Sequence, residues 1–349
     1  MAAKIISGIA VAVFERGRPV YAHTAGAANL EFGVPRSANT ICSIASTTRQ
    51  FTAAAILLLA EAGRLSLDDR LSCFVPEFPR AGELVLHQML NHTSGLGDYM
   101  RLTSLKALQQ AAWPDYDESA IIKFLLSEKP LFAFPPGTHW SHSNTGYTLL
   151  GVVVARASGK FYREFMQTHI FDPLGLADTA VDDAADIVPR RASGYTPNPK
   201  EQSGFDNASF FSRSFMGGAG SMRSTVLDLC RWYDALLSAK LLKPKSLRQM
   251  LAPARLADGS LPRDESLPTD NDGSPDEYGF GLYLAKIRGH SQIAHGGGVT
   301  GFLSLLYSFP DKAVTVAGLI NCDDGFARTS RFEGPLEEMD EKLMERALA

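Results

Sequence analysis

Between Phe51 and Ala60 the chain is apolar on every side of a helix, with Thr52 the one polar residue. A helix that is hydrophobic all round cannot lie on a surface and belongs in the middle of a domain or between two. Gly63 reads as its C-cap, and Ser43 and Ser46 as acceptable caps at its start. The rest of the chain has to be wrapped around this segment. Its 349 residues suffice for roughly two domains on the usual scale of about 150 residues each.

The order of elements says how the wrapping is done. Ile5 to Phe14 and Val20 to His23 read as two strands joined by a turn at Gly17. Glu83 to Asn91, Glu118 to Glu128, Thr145 to Ser158 and Phe161 to His169 carry apolar residues at helical spacing. Val188 to Phe215, rich in Pro, Gly, Ser and Asn, reads as loop. Thr225 and Asp228 have the spacing of a capping box opening a helix to about Leu237. After the acidic stretch from Ala257 to Glu277, four segments read as an antiparallel meander: Tyr278 to Ile287, Gln292 to His295, Gly301 to Phe309 and Ala313 to Asn321. A last helix from Leu336 to Leu348 would cover one face. Strands, helices, strands and a helix in that order predict an α/β domain made of both chain ends, 1–60 and 205–349, with an all-α domain, 61–204, inserted between them.

Several function classes fall away. With 45% hydrophobic and 21% charged residues, most of the chain has the composition of a folded protein rather than a disordered one. A formal net charge of -4 offers no basic footprint for nucleic acid. No run approaches the roughly 18 apolar residues of a membrane span. The four cysteines form no CxxC pair, and His139 and His142 lack a third ligand of matching type, so neither a metal site nor any cofactor is expected. Met1 to Lys4 lead directly into a strand, not a cleavable leader, so the chain is read as cytoplasmic, or exported with its signal removed.

Chemistry concentrates at Ser46. A serine hydroxyl at a helix N-terminus lies at the positive end of the helix dipole beside unsatisfied N–H groups, and both favour an alkoxide and an oxyanion. Ser46-Thr47-Thr48-Arg49, continuing to Gly63-Arg64-Leu65-Ser66-Leu67-Asp68, resembles the active-site helix of the serine β-lactamase-related family. That family includes class C β-lactamases, D,D-peptidases, D-aminopeptidases and similar esterases. Leu90-Asn91-His92-Thr93-Ser94-Gly95, Ser143-Asn144-Thr145-Gly146-Tyr147 and His295-Gly296-Gly297-Gly298 resemble its later signatures, in the family's order. The resemblance implies a penicillin-binding-protein-like fold, an antiparallel sheet flanked by helices with an inserted helical domain. It implies Ser46 as nucleophile and an oxyanion hole from the backbone N–H groups of Ser46 and Gly298. Asn144, His295, Gly296 and Gly297 would contact a small acyl, ester or peptide-like substrate.

Two positions depart from the pattern. The family's Ser-x-x-Lys is Ser46-x-x-Arg49 here, and its Tyr-x-Asn is His142-x-Asn144. Arg49 still shares a helix face with Ser46, but a guanidinium does not deprotonate in a protein and supplies only charge and hydrogen bonds. An imidazole, with an unperturbed pKa near 6.5, is a better base at neutral pH than a phenol near 10. The substitutions therefore suit a Ser46–His142 dyad that hydrolyses or transfers an acyl group through an acyl-Ser46 intermediate. The competing reading is an impaired or non-catalytic relative that keeps the cleft and has lost its base.

Overall fold

The computed structural model describes residues 7–102, 117–127, 131–210, 212–262 and 277–323. Strand β1 (Gly8–Glu15) turns back through Arg16 and Gly17 into β2 (Arg18–Asn29). Both turn residues have positive φ, 50° and 72°, the geometry whose twist suits a two-residue hairpin. Short strands follow: β3 (Val34–Pro35), β4 (Cys42–Ser43), β5 (Ala180–Val181), β6 (Tyr195–Pro197), β7 (Phe205–Asn207) and β8 (Met222–Ser224). The later part of the chain supplies β9 (Glu277–Tyr278), β10 (Tyr283–Ile287), β11 (His290–Val299), β12 (Phe302–Phe309) and β13 (Val314–Ile320).

Eight of these strands form one sheet in the order β3-β2-β1-β13-β12-β11-β10-β9. The expected meander is there, from β10 to β13. β1 closes the arrangement by pairing antiparallel with β13, from Ile9 opposite Ile320 to Glu15 opposite Val314. The helix Val226–Leu237 packs across β1 and β13, and the Thr225 hydroxyl accepts the Asp228 N–H at its start, as the capping spacing predicts.

The apolar segment is the helix Thr48–Glu61, and every residue from Thr48 to Leu57 is buried. It packs against the helix Asn144–Ser158, which is itself buried along most of its length. Neither Ser43 nor Ser46 caps it. A 3₁₀ turn, Ala45–Thr47, leads into the helix, the Thr47 N–H is satisfied by the Ile44 carbonyl, and the Thr48 hydroxyl accepts the Met222 N–H. The backbone does the capping, so the Ser46 hydroxyl is not spent on it.

Other expectations need correction. The helix expected over Glu83 to Asn91 is a 3₁₀ turn, Ala81–Glu83, followed by a short helix, Leu86–Leu90. The segment from Phe161 to His169 is the helix Tyr162–Met166 running into a π-turn, Gln167–Phe171. The stretch read as loop after Val188 contains the β6–β7 hairpin, and the helix Pro244–Met250 was not anticipated. Tyr278 to Ile287 is two strands, β9 and β10. They are separated at Gly281, where φ is +73° and a side chain would press on the Arg49 carbonyl. The helix expected over Leu336 to Leu348 lies outside the described residues.

Candidate active site

Ser46 sits in the 3₁₀ turn at the head of the buried helix and is half-buried. Ala45 immediately before it holds φ +44°, a conformation a β-carbon disfavours. Such strain persists only where surrounding contacts fix it. Here β12 does so: the Ser304 hydroxyl donates to the Ile44 carbonyl at 2.7 Å and lies 2.9 Å from the Thr47 hydroxyl. Ser304→Ala removes both buried bonds and is expected to cost about 1–3 kcal/mol, read as a lower urea midpoint. An unchanged midpoint would show that β12 does not pin the turn.

β11 forms the opposite wall. A β-carbon on Gly297 would stand 2.7 Å from the Ser46 nitrogen and 2.4 Å from the Ile44 carbonyl oxygen, so the two backbones approach as closely as glycine permits. Gly298 is exposed beside it. The pairing of β10 with β11 ends at Tyr283 opposite Ala294, so β11 passes beyond that neighbour from His295 onward. Of the expected substrate contacts, Gly297 stands at the Ser46 turn, while His295 is buried behind Tyr278.

One hydrogen-bonded chain joins the remaining site residues. Arg49, fully buried one helical turn from Ser46, donates from Nη2 to Asn144 Oδ1 at 2.6 Å. Asn144 Nδ2 donates to both carboxylate oxygens of Asp98, at 3.0 and 2.9 Å. Asp98 Oδ2 in turn lies 3.3 Å from His142 Nδ1. Arg49 Nε and Nη1 have no hydrogen-bond partner among the described residues, and the guanidinium lies 5.6 Å from the centre of the Tyr147 ring.

Asp98 was not anticipated from the sequence. It is buried, which alone would raise its pKa, but the hydrogen bond and charge of His142, with bonds from Asn144 and the Met100 N–H, hold it below the usual carboxylate value. A carboxylate against Nδ1 favours the tautomer that carries its proton there and leaves Nε2 with the lone pair.

Two more histidines line the interior. His92, with φ +65°, accepts the Ser143 N–H on Nδ1 and packs against Trp140, His142, Tyr147 and Tyr278. His295 donates from Nδ1 to the Gly296 carbonyl, and its Nε2 lies 3.2 Å from the Tyr278 hydroxyl. Burial pushes both imidazoles well below the ordinary histidine value, helped by the charges of Arg49 and His142. The Tyr278 phenol is pushed well above its ordinary value, chiefly by burial, and stays a donor.

A pH dependence follows, with its sign set by these two groups. Below the ordinary value of 6.5 the unfolded chain takes up protons at His92 and His295 that the folded protein refuses. Stability therefore falls as pH drops below about 6.5. Urea midpoints at pH 7.5 and 5.5 measure it, and equal midpoints would mean that both rings are protonated in the fold.

Among the described residues no group of three or more His, Cys, Asp or Glu is placed to hold a metal ion, and no helix is long and apolar enough to cross a membrane. Phe215 is core, and Trp140 packs on His92 and Tyr278.

The chain is similar to known proteins over most of its length. The chain is 29% identical over 327 residues to Penicillin-binding protein 4* of Bacillus subtilis, which covers 89% of this chain and 67% of that protein. It is 26% identical over 315 residues to the D-aminopeptidase of Gluconobacter oxydans, covering 90% of this chain and 55% of the relative. The chain thus spans only about half to two thirds of these relatives' length. The solved D-amino acid amidase from Ochrobactrum anthropi SV3 has the same fold, with a TM-score of 0.81 at 24% identity over 98% of this chain and 94% of that one. The family model described as Beta-lactamase matches residues 1–334, which takes in Ser46, the Asp98–His142 pair and the glycines of β11, and the chain belongs to that family.

Proposed function

We propose that the protein is a serine hydrolase or acyl transferase acting on a small amide or ester. Ser46 is its nucleophile, His142 its base and Asp98 the group that orients the base. The observation that carries this reading is the Asp98–His142 contact. It gives His142 a carboxylate partner, which supports reading the two as base and orienter in place of the family lysine and tyrosine. The names of the relatives, an aminopeptidase and a penicillin-binding protein, support an acyl donor of amide or peptide type.

In this mechanism Ser46 Oγ attacks the acyl carbon as its proton passes to His142 Nε2. The oxyanion is held by the N–H groups of Ser46 and Gly298. The bond to the leaving oxygen or nitrogen breaks, and His142 delivers the proton to that atom. Water or another hydroxyl or amine nucleophile then attacks the acyl-Ser46 ester, gives its proton to His142, and Ser46 recovers a proton from the imidazolium. Arg49 moves no proton. Its charge faces Asp98 through Asn144 and keeps the site positive near the developing oxyanion, with Gly296 and Gly297 lining the substrate side.

Incubation with an alkyl fluorophosphonate, followed by peptide mass mapping, tests the reading. A single adduct on the peptide containing Ser46 is expected, absent in Ser46→Ala. No adduct would reject acyl transfer in favour of a non-catalytic binder. The observation favouring that second reading is that Arg49, which cannot serve as a base, occupies Asn144 Oδ1.

A further inference from the structure

His142 does not stand on a regular element. Residues 139–143, ahead of the helix Asn144–Ser158, form neither helix nor strand. A side chain on such a segment is placed only as well as its flanking backbone is held. Both amides that flank His142 are held by one residue. The Ser141 N–H donates to the His92 carbonyl at 3.1 Å, and the Ser143 N–H donates to His92 Nδ1 at 3.2 Å. The His92 and His142 rings lie 4.9 Å apart, centre to centre. Ser143 carries the hold onward. Its hydroxyl accepts the Gly146 N–H at the start of the helix and donates to the carbonyl of Gly97, the residue before Asp98, at 3.3 Å.

His92 is shaped for this task. Its backbone holds φ +65°, which histidine adopts more readily than most residues but which persists only where contacts fix it. Its ring is buried among Trp140, Tyr147 and Tyr278. An Nδ1 that accepts an amide proton carries a lone pair, so the proton of the neutral ring is on Nε2. Nε2 has no hydrogen-bond partner among the described residues, so among them the ring's hydrogen bonding is spent on Ser143 alone. Burial, with the charges of His142, Arg49 and His295, holds the ring well below the ordinary histidine pKa and keeps that lone pair free.

We infer that His92 is the positioning residue of the base: by accepting the Ser143 N–H it sets the backbone from which His142 meets Asp98. The inference rests on the reading of His142 as base, but where the His142 ring stands can be measured without turnover.

Two substitutions separate this hold from plain packing. His92→Asn removes the ring but keeps an acceptor at the place of Nδ1, and asparagine tolerates positive φ. His92→Phe keeps a ring and removes the acceptor. On protein shown by circular dichroism to be folded, His92→Asn should be phosphonylated at Ser46 within about threefold of the parent's limiting rate, and His92→Phe at least about tenfold more slowly, with little change in the half-saturating concentration. Equal rates in the two variants, or the reverse order, would make His92 a packing residue and overturn the inference. Long-range ¹H–¹⁵N spectra at pH 8 supply a readout that needs no reaction. His142 should carry its proton on Nδ1 in the parent and in His92→Asn, and should show mixed tautomers in His92→Phe; an unchanged His142 in His92→Phe would overturn the inference. Should neither variant fold, the parent alone decides: His92 should carry its proton on Nε2, and a proton on Nδ1 would leave no lone pair for Ser143 and overturn the inference. Failure of the parent to label at Ser46 would reject the acyl-transfer reading instead, and the ring spectra would still show whether His92 places His142.

Discussion

His142→Ala is expected to slow phosphonylation and acylation of Ser46 by about 10²- to 10⁴-fold, the usual contribution of a positioned general base. The His142 side chain is only 24% exposed and partners the buried Asp98, so a loss of stability should accompany the loss of rate, and the rate is read on protein shown to be folded. In the parent protein the rate should rise with pH as the imidazole gives up its proton, and that rise should vanish in the variant. Asp98→Asn keeps the size of the orienting group and removes its charge. With an amide at this point the hydrogen bond to Nδ1 no longer selects one tautomer, and kcat should fall while KM changes little. Reaction of His142→Ala at the parent rate and with the parent pH profile would reject His142 as base. Because Asp98 also holds Asn144, the Asp98→Asn protein should be compared by circular dichroism before its kinetics are read.

Gly297→Ala is expected to damage both stability and chemistry. The new methyl would lie 2.4 Å from the Ile44 carbonyl oxygen, and 2.7 Å from both the Ser304 hydroxyl and the Ser46 nitrogen. Two of these three atoms are backbone, so they cannot swing aside, and β11 must move away from the Ser46 turn. Overpacking of this kind costs about 1–3 kcal/mol. The same movement separates the two oxyanion donors, for which a loss of about 10²- to 10³-fold in kcat is expected. Gly298→Ala is the control one residue along. Its nearest new neighbour is a flexible Leu303 methyl at 3.3 Å, so it should be well tolerated. Thermal unfolding and phosphonylation rates of the two variants check the contrast, and equal behaviour would show that the contact at Gly297 does not set the site.

The parts of this arrangement that were legible in the sequence are those encoded locally. The buried helix follows from composition alone, since no polar stripe is available to face water. The start of the helix Val226–Leu237 follows from Thr225 and Asp228, three residues apart. The meander follows from alternation and turn residues. What was not legible depends on contacts between distant segments. Asp98 is one acid in a loop, and nothing beside it in sequence marks it; its partners His142 and Asn144 lie 44 and 46 residues away. The break between β9 and β10 arises because Gly281 approaches the Arg49 carbonyl, a tertiary event that a strand-like run conceals. Ser43 and Ser46 have the side chains of helix caps, yet backbone carbonyls of the 3₁₀ turn and of Ile44 accept the first amides instead.

The pairing of β1 with β13 bears on how the protein is made. Ile9 and Ile320 are neighbours in the sheet but are synthesised at opposite ends of the described chain. A ribosome delivers β1 early, and that strand then waits with one edge open until β13 emerges. Long-range pairings of this kind form slowly, because loop closure precedes the contacts that reward it. An open apolar edge is also the surface on which nascent chains aggregate. The protein should therefore depend on holdase chaperones during synthesis more than a sheet with local pairing would. The delay has a benefit in timing. Ser46 leaves the ribosome long before Gly297 and Gly298, so on the proposed mechanism a nascent chain carries its nucleophile without the wall that stabilises an oxyanion, and reactivity is withheld until β11 has been made.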